Sequence, residues 1–303
     1  MPRSVLRVGT RGSMLALAQA EAVRQAVSKV ITHRNFELVP VTTQGDRIEG
    51  EVPAMGGKGL FVADIEEALA TGKIDLAVHS AKDLPVESAG GIVLASIPKR
   101  EDPRDALLTR NGLGLSSLQP GTSVGTSSMR RAVQLLALGR GLVPTPIRGN
   151  VDTRLRKLTD GDVQTLVVAL AGLRRLGRAD RVAEILPINV MLPAPGQGAL
   201  AVQCRSNDKM MRAALAQLED ADSRTAFETE RAFMIELGGS CNLPLAALAE
   251  CAGEHVRLRG LVGSPDGKSI VTEQAEGDNP EKVAIELADR MRALGAAEII
   301  ASL

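Results

Sequence analysis

SVLRVGTRGSMLALAQAEAVRQAVSKV, residues 4–30, decides the fold class. Its first part, SVLRVGT (4–10), is a short apolar run of strand length. SMLALAQAEAVRQAVSKV (13–30) then spaces its apolar residues at the helical period, with Ser13 placed to cap the first turn. A strand that feeds a helix almost without a loop is the building unit of an α/β sheet protein. The alternation continues outward through FELVPVTT (36–43, strand), GLFVADIEEALATG (59–72, helix) and KIDLAVHS (73–80, a buried strand), which exits into AKDLP. Strand-to-helix exits are where open α/β sheets collect binding residues.

PKREDPRD (98–105) reads as a polar, proline-containing linker to a second unit of the same class. There TSVGTSS (122–128), VPTPIRG (143–149) and VQTLVVALAG (163–172) read as strands, separated by the helices MRRAVQLLALG and VDTRLRKLTDG. LPAPGQGA (192–199) reads as a return linker, and ALAVQCR (199–205) as a strand placed to rejoin the first unit. A helix from about Asp222, strands near 245–250, 255–262 and 268–274, and a helix over about 280–295 form a small α+β part. No repeat or low-complexity tract interrupts the 303 residues.

The formal charge is zero, which argues against a general nucleic-acid binder or a polybasic membrane-surface protein. Four Phe and no Trp or Tyr leave little for base stacking and require aliphatic cores. The three cysteines (Cys204, Cys241, Cys251) have no CxxC spacing, so neither a disulfide framework nor a metal site is expected. A cytoplasmic protein fits: the N-terminus enters a strand at once and no apolar run has membrane-spanning length.

The neutral total conceals an arginine bias, 27 Arg to 9 Lys, and ten of those Arg fall between Arg130 and Arg181. Arg grips a carboxylate or phosphate as a planar fork. Arg11 and Ser13 follow the first strand, Ser127, Ser128, Arg130 and Arg131 open a helix, Arg148 and Arg154 flank another helix start, and Arg174 and Arg175 follow a buried strand. Any one set reads as a solvated helix face. All four at strand ends point to a cleft lined for several anions. Lys82 and Asp83 join them at a strand exit, where a carboxylate beside a cation is a candidate acid/base or cation stabiliser. His79 reads as a polar residue closing a buried strand. The glycine-rich loop 42–61 precedes Phe61, which is either core or a surface for a flat ring. In LGGSCNLPLAAL (237–248) small residues leave room around the Cys241 sulfur and Pro244 stiffens the exit.

Taken in order, TRGSMLALAQA, GGKGLF, AVHSAKDLP, GTSSMRRA, IRGNVDTRL, LAGLRRLG, PAPGQGALAVQ and ERAFMIELGGSCNLPLA resemble the porphobilinogen deaminase (hydroxymethylbilane synthase) family over essentially the whole chain. The resemblance implies a fold of two lobes like those of periplasmic binding proteins plus a small α+β domain. The implied boundaries are 1–98 with 199–217, 104–192 and 221–303. It implies a transferase that joins four porphobilinogen molecules, with loss of ammonia, onto a dipyrromethane primer and releases hydroxymethylbilane by hydrolysis. Cys241 matches the cysteine that carries the dipyrromethane cofactor through a thioether, and Asp83 matches the catalytic aspartate. Lys82, Asp83, Ser128, Arg130 and Arg131 match cofactor-binding positions; Arg11, Ser13, Phe61, Arg148, Arg154 and Arg175 match substrate-binding ones. The family also implies a monomer whose partner is small-molecule porphobilinogen, with no metal, nucleic acid or membrane. Ser240 stands where many members have Gly, and Leu243 where Ile, Val or Thr is commoner; both changes keep the loop small. On residues alone, two other readings stay open: an anion-sensing two-lobed protein without chemistry, and a cysteine-dependent acyl transferase.

Overall fold

The computed structural model describes residues 5–47, 62–238 and 243–303. β1 (Val5–Arg11) runs into α1 (Met14–Val30), whose Ser13 cap accepts a hydrogen bond from the Ala16 backbone. β2 (Asn35–Val41), the single turn α2 (Gln44–Arg47) and α3 (Ala63–Ala70) follow. β3 (Leu76–Ser80) ends in a 3-10 turn over Ala81–Asp83, before β4 (Ile92–Ser96). The middle of the chain carries β5 (Asp105–Thr109), β6 (Ser123–Gly125), α4 (Met129–Ala137), β7 (Val143–Thr145) and α5 (Val151–Asp160). β8 (Thr165–Ala169), α6 (Leu170–Arg175) and β9 (Glu184–Ile185) complete it. Then come β10 (Leu200–Arg205), α7 (Lys209–Leu215) and α8 (Ala221–Glu236). The C-terminal part has β11 (Leu245–Ala252), β12 (His255–Gly263), β13 (Ile270–Gly277), α9 (Pro280–Ala293) and α10 (Ala296–Ala301).

One compact unit comprises the chain up to Arg100 with Ala199–Arg224. Its sheet runs β2-β1-β3-β10-β4, with β1 parallel to β2 and β3, and β10 antiparallel to β3 and β4. Because strand side chains alternate, Leu76 and Val78 join Val23, Val27 and Met211 on one face, while Ala77 joins Ile65 and Leu69 on the other. Both faces are covered, which is why Leu76, Ala77 and Val78 are apolar in succession.

The other unit comprises Glu101–Gly198 and Thr225–Leu303. Its larger sheet runs β7-β6-β8-β5-β9: β6 is parallel to β7 and β8, and β5 antiparallel to β8 and β9. The order is that of the first sheet, three parallel strands followed by one antiparallel strand and an edge. Leu108, Leu155 and Leu166 fill one face, and Leu107, Leu135 and Val167 the other. A three-stranded antiparallel sheet, β11-β12-β13, packs Leu258, Leu287, Met291 and Phe233 into a further core.

The α/β expectation holds for both five-stranded sheets, and several local readings are corrected. β4 and β5 were not expected. β5 begins at Asp105, inside the segment read as a linker, and all five of its residues are buried. LPAPGQGA is likewise no open linker: Leu192, Gln197 and Ala199 are buried, and the Glu230 carboxylate accepts from the Gly196 backbone at 2.6 Å. The run 163–172 divides into β8 and α6. The expected helix over 59–72 is described only as Ala63–Ala70.

Gly198 shows why that segment needs glycine. Its φ is +90°, and an added Cβ would lie 2.3 Å from the Glu101 backbone oxygen, which cannot move aside as a side-chain tip would. Gly198→Ala should therefore destabilise the protein by about 2 kcal/mol or more. A fall in the urea midpoint at unchanged slope checks this.

Candidate active site

In the first unit, β1 and β3 lie side by side and parallel, so the loops at their ends converge. Arg11, Ser13, Gln19, His79, Ser80 and Asp83 line one pocket there. Gln19, buried on α1, donates to the Ser80 hydroxyl at 2.9 Å, and the Ala81 backbone donates to Ala199 at 3.0 Å. These two bonds fix the turn that presents Asp83. Asp83 itself is exposed and Lys82 half-buried. The Ser13 hydroxyl already accepts the cap bond but keeps its own hydrogen, so it remains able to donate to an anion.

In the second unit the arginines divide into two kinds. Arg130 and Arg131 are 4% and 6% exposed and share one carboxylate, Asp105, which is fully buried. Arg130 Nη1 donates to Asp105 Oδ2 at 2.7 Å and to the Leu192 carbonyl at 2.7 Å. Arg131 donates to Asp105 Oδ1 through Nε at 3.1 Å and Nη2 at 2.7 Å. Gln197 donates to the same Oδ1 at 3.0 Å and to Pro103 at 2.7 Å. Burial alone would raise Asp105, but the two guanidinium charges and their hydrogen bonds hold it well below the usual carboxylate range. Burial, offset by Asp105, lowers Arg130.

Arg154 is of the other kind. Its Nε donates to the Gly149 carbonyl at 2.9 Å, and it forms no ion pair among the described residues. Burial first, and then the positive charge of Arg131, lower its pKa, so an anion arriving here would relieve both effects. Arg148 is exposed on the loop before α5. Arg175 donates to the Gly198 carbonyl at 2.6 Å; burial lowers its pKa and Glu101 opposes that shift. Ser128 occupies the cap position of α4 without a side-chain cap bond, which leaves its hydroxyl available to a ligand.

The structure thus gathers Arg11, Ser13 and Asp83 into one pocket, and Arg130, Arg131 and Arg154 into one charged cluster. Cys241 and Phe61 lie outside the described residues. Asp105 and Gln197 were not anticipated. Nothing in PKREDPRD distinguishes the second aspartate from the first, and only the buried strand that begins there makes it a shared counter-ion. His79 was read as a strand-closing residue and is also part of the pocket wall. Among the described residues no group of His, Cys, Asp and Glu is arranged to hold a metal ion.

Breaking the shared pair leaves two buried cations with no carboxylate. Asp105→Ala should therefore cost about 3–5 kcal/mol, measured by urea unfolding. Because the folded carboxyl titrates below its unfolded value, its contribution is complete above the ordinary carboxylate range and is lost as pH falls through and below it. The acid-side decline of the urea midpoint should accordingly be shallower in Asp105→Asn than in the parent chain.

The family described as "Porphobilinogen deaminase, dipyromethane cofactor binding domain" matches residues 6–213, and "Porphobilinogen deaminase, C-terminal domain" matches residues 225–293. A porphobilinogen deaminase of Syntrophotalea carbinolica is 47% identical over 100% of this chain and 97% of its own length. One of Brevibacillus brevis is 43% identical over 97% of this chain and 96% of its own. Among solved structures, the methionine binding protein MetQ aligns with TM-score 0.45 and 14% identity over 71% of this chain and 89% of that one.

Proposed function

The chain belongs to the porphobilinogen deaminase family, and from that premise we propose how its residues divide the work. The protein is a transferase of tetrapyrrole biosynthesis. It joins four porphobilinogen molecules head to tail with loss of ammonia, onto a covalently held dipyrromethane, and water releases hydroxymethylbilane. When bound, the dipyrromethane supplies the pyrrole carbon to which the first new unit is joined.

The observation that carries the assignment of roles is the charge imbalance in the second unit. Arg130, Arg131 and Arg154 bring three positive charges to the single carboxylate of Asp105. Asp152, in the first turn of α5, forms no ion pair among the described residues to redress it. A ligand carrying an acetate and a propionate on each ring meets that need, so the donor set fits the primer. In our reading Arg131, Arg154, Arg148 and Ser128 hold primer or substrate carboxylates. Arg130 acts chiefly through Asp105, keeping Arg131 in place, while Arg175 adds a further fork.

In the first unit, Arg11, Ser13 and Lys82 anchor the carboxylates of the incoming porphobilinogen. Asp83, beside them, stabilises the positive charge that develops as ammonia leaves and accepts a proton from the pyrrole. Phe61 is assigned to substrate contact and Cys241 to the thioether. The three-domain division, 1–98 with 199–217, 104–192 and 221–303, belongs to the same reading and is supported by the separate core around Phe233 and Leu258. So do a monomeric state and a cytoplasmic location.

Intact-mass analysis of the purified protein should give the sequence mass plus two linked pyrrole units, and peptide mapping should place them on Cys241. An unmodified chain that still made hydroxymethylbilane would remove this assignment. Asp83→Ala should melt with the parent chain, since Asp83 is exposed, yet turn over about a hundredfold more slowly or worse. Near-normal release of ammonia would take Asp83 out of the reaction.

A further inference from the structure

Behind the Asp83 pocket runs a buried polar chain that the assignments above leave unused. Glu66 on α3 and Gln203 on β10 are 5% and 0% exposed. Gln203 Nε2 donates to Glu66 Oε1 at 2.7 Å and to the Ser88 hydroxyl at 3.0 Å, so both its N–H groups are engaged. This fixes which way round the amide sits and turns Oε1 away from Glu66. Gln203 Oε1 is buried and has no hydrogen-bond partner among the described residues.

His79 Nε2 is buried and without a partner in the same way. The register pairs Ala201 with His79 and Gln203 with Ala77, so His79 and Gln203 are diagonal neighbours on one face of the sheet. Leaving a buried polar atom unpaired costs about 1–3 kcal/mol, and here two lie together. One is an acceptor and the other becomes a donor if it carries the proton. Either a direct bond or one bridging water satisfies both. Burial drives the ring pKa down to about 4, with Gln203 opposing only in part, so at neutral pH the ring carries one proton. His79 is 6% exposed and lines the pocket that holds Arg11, Ser13 and Asp83.

We propose that Glu66 and Gln203 hold His79 as the Nε2–H tautomer, so that Nδ1 serves the Asp83 pocket as a hydrogen-bond acceptor and positions an N–H donor of the pyrrole substrate. The proposal rests on the substrate reading given above. Among the described residues lining the pocket, Arg11 and Ser13 are suited to donate and Asp83 is the one carboxylate, which the chemistry engages. A neutral acceptor orients a pyrrole or aminomethyl N–H without adding to the charge. Gln203 and Glu66 act through His79 and are positioning residues.

The holoenzyme labelled with 15N at histidine provides the direct test. Its three histidines are assigned with the help of His79→Asn. The His79 ring should appear as neutral Nε2–H at pH 7, and Gln203→Leu should mix the tautomers. An Nδ1–H or cationic ring in the parent chain would overturn the proposal. Kinetics supply a second arm. His79→Leu should raise KM for porphobilinogen about tenfold, the value of one lost hydrogen bond. His79→Asn, whose oxygen reaches the Nδ1 position, should restore most of it, and His79→Gln, whose amide reaches the Nε2 position, should not. Equal effects of Leu and Asn would also overturn it. If the parent chain failed to turn over porphobilinogen at all, the substrate reading would fall, while the measured tautomer would still decide the hydrogen-bond chain.

Discussion

The second unit is organised around one buried carboxylate. Asp105 opens β5, the antiparallel strand that follows the parallel trio in its sheet, and accepts from two adjacent arginines and a glutamine. That single group joins the start of a strand, the first turn of α4 and the segment 192–198. Burying two guanidiniums is unfavourable unless a charge and enough hydrogen bonds accompany them. The arrangement supplies both, and it also decides which arginines remain for a ligand. The two Asp105 oxygens are filled by Arg130, Arg131 and Gln197, so under the proposed division of roles a ligand carboxylate would be met by donors that Asp105 does not already occupy. A carboxylate inside a unit proposed to bind anions is therefore no contradiction, because it holds Arg130 and Arg131 in place.

The same constraint accounts for the segment PAPGQGA. Gln197 has to reach Pro103 and Asp105, Gly198 has to pass close to Glu101 at positive φ, and Gly196 has to meet the Glu230 carboxylate. Proline and glycine here serve close backbone approach inside a core. In the sequence that composition is indistinguishable from a flexible connector, and it was read as one. The polar run PKREDPRD carries a linker's composition for a related reason: three of its charges are paired, Asp102 with Arg104 and Asp105 with the two arginines.

Elements whose stability is local were legible. β1 with α1, β3, and α9 with its Asn279 cap and Pro280 all show a period or a cap in the sequence. β4 and β5 are as long as β3 but sit among the Pro, Gly and charged residues of 85–105, which carry a linker's composition, and the two-residue β9 is too short to carry a period. The site follows the same rule. Arg11, Ser13 and Asp83 stand at strand exits that the alternation of strand and helix locates, so their convergence was readable. The pairing of Arg130 and Arg131 with a residue some 25 positions earlier depends on an antiparallel strand order that no local pattern encodes.

The equal strand order of the two large sheets makes their differences informative. β1 and β6 hold the same place, each the central member of its parallel trio, and each runs into a helix through a serine cap. Ser13 closes its cap bond and Ser128 does not. β3 and β8 also correspond. β3 exits into the turn bearing Lys82 and Asp83, whereas β8 exits into α6 bearing Arg174 and Arg175. The turn after β3 thus carries a carboxylate beside a lysine, and the helix after β8 carries two arginines in its last turn. In the proposed division of roles Asp83 meets the transient cation, while Arg175 meets a carboxylate of a product whose negative charge grows with each added ring. Changing the exit residues of a repeated topology would supply both kinds of group without a new fold.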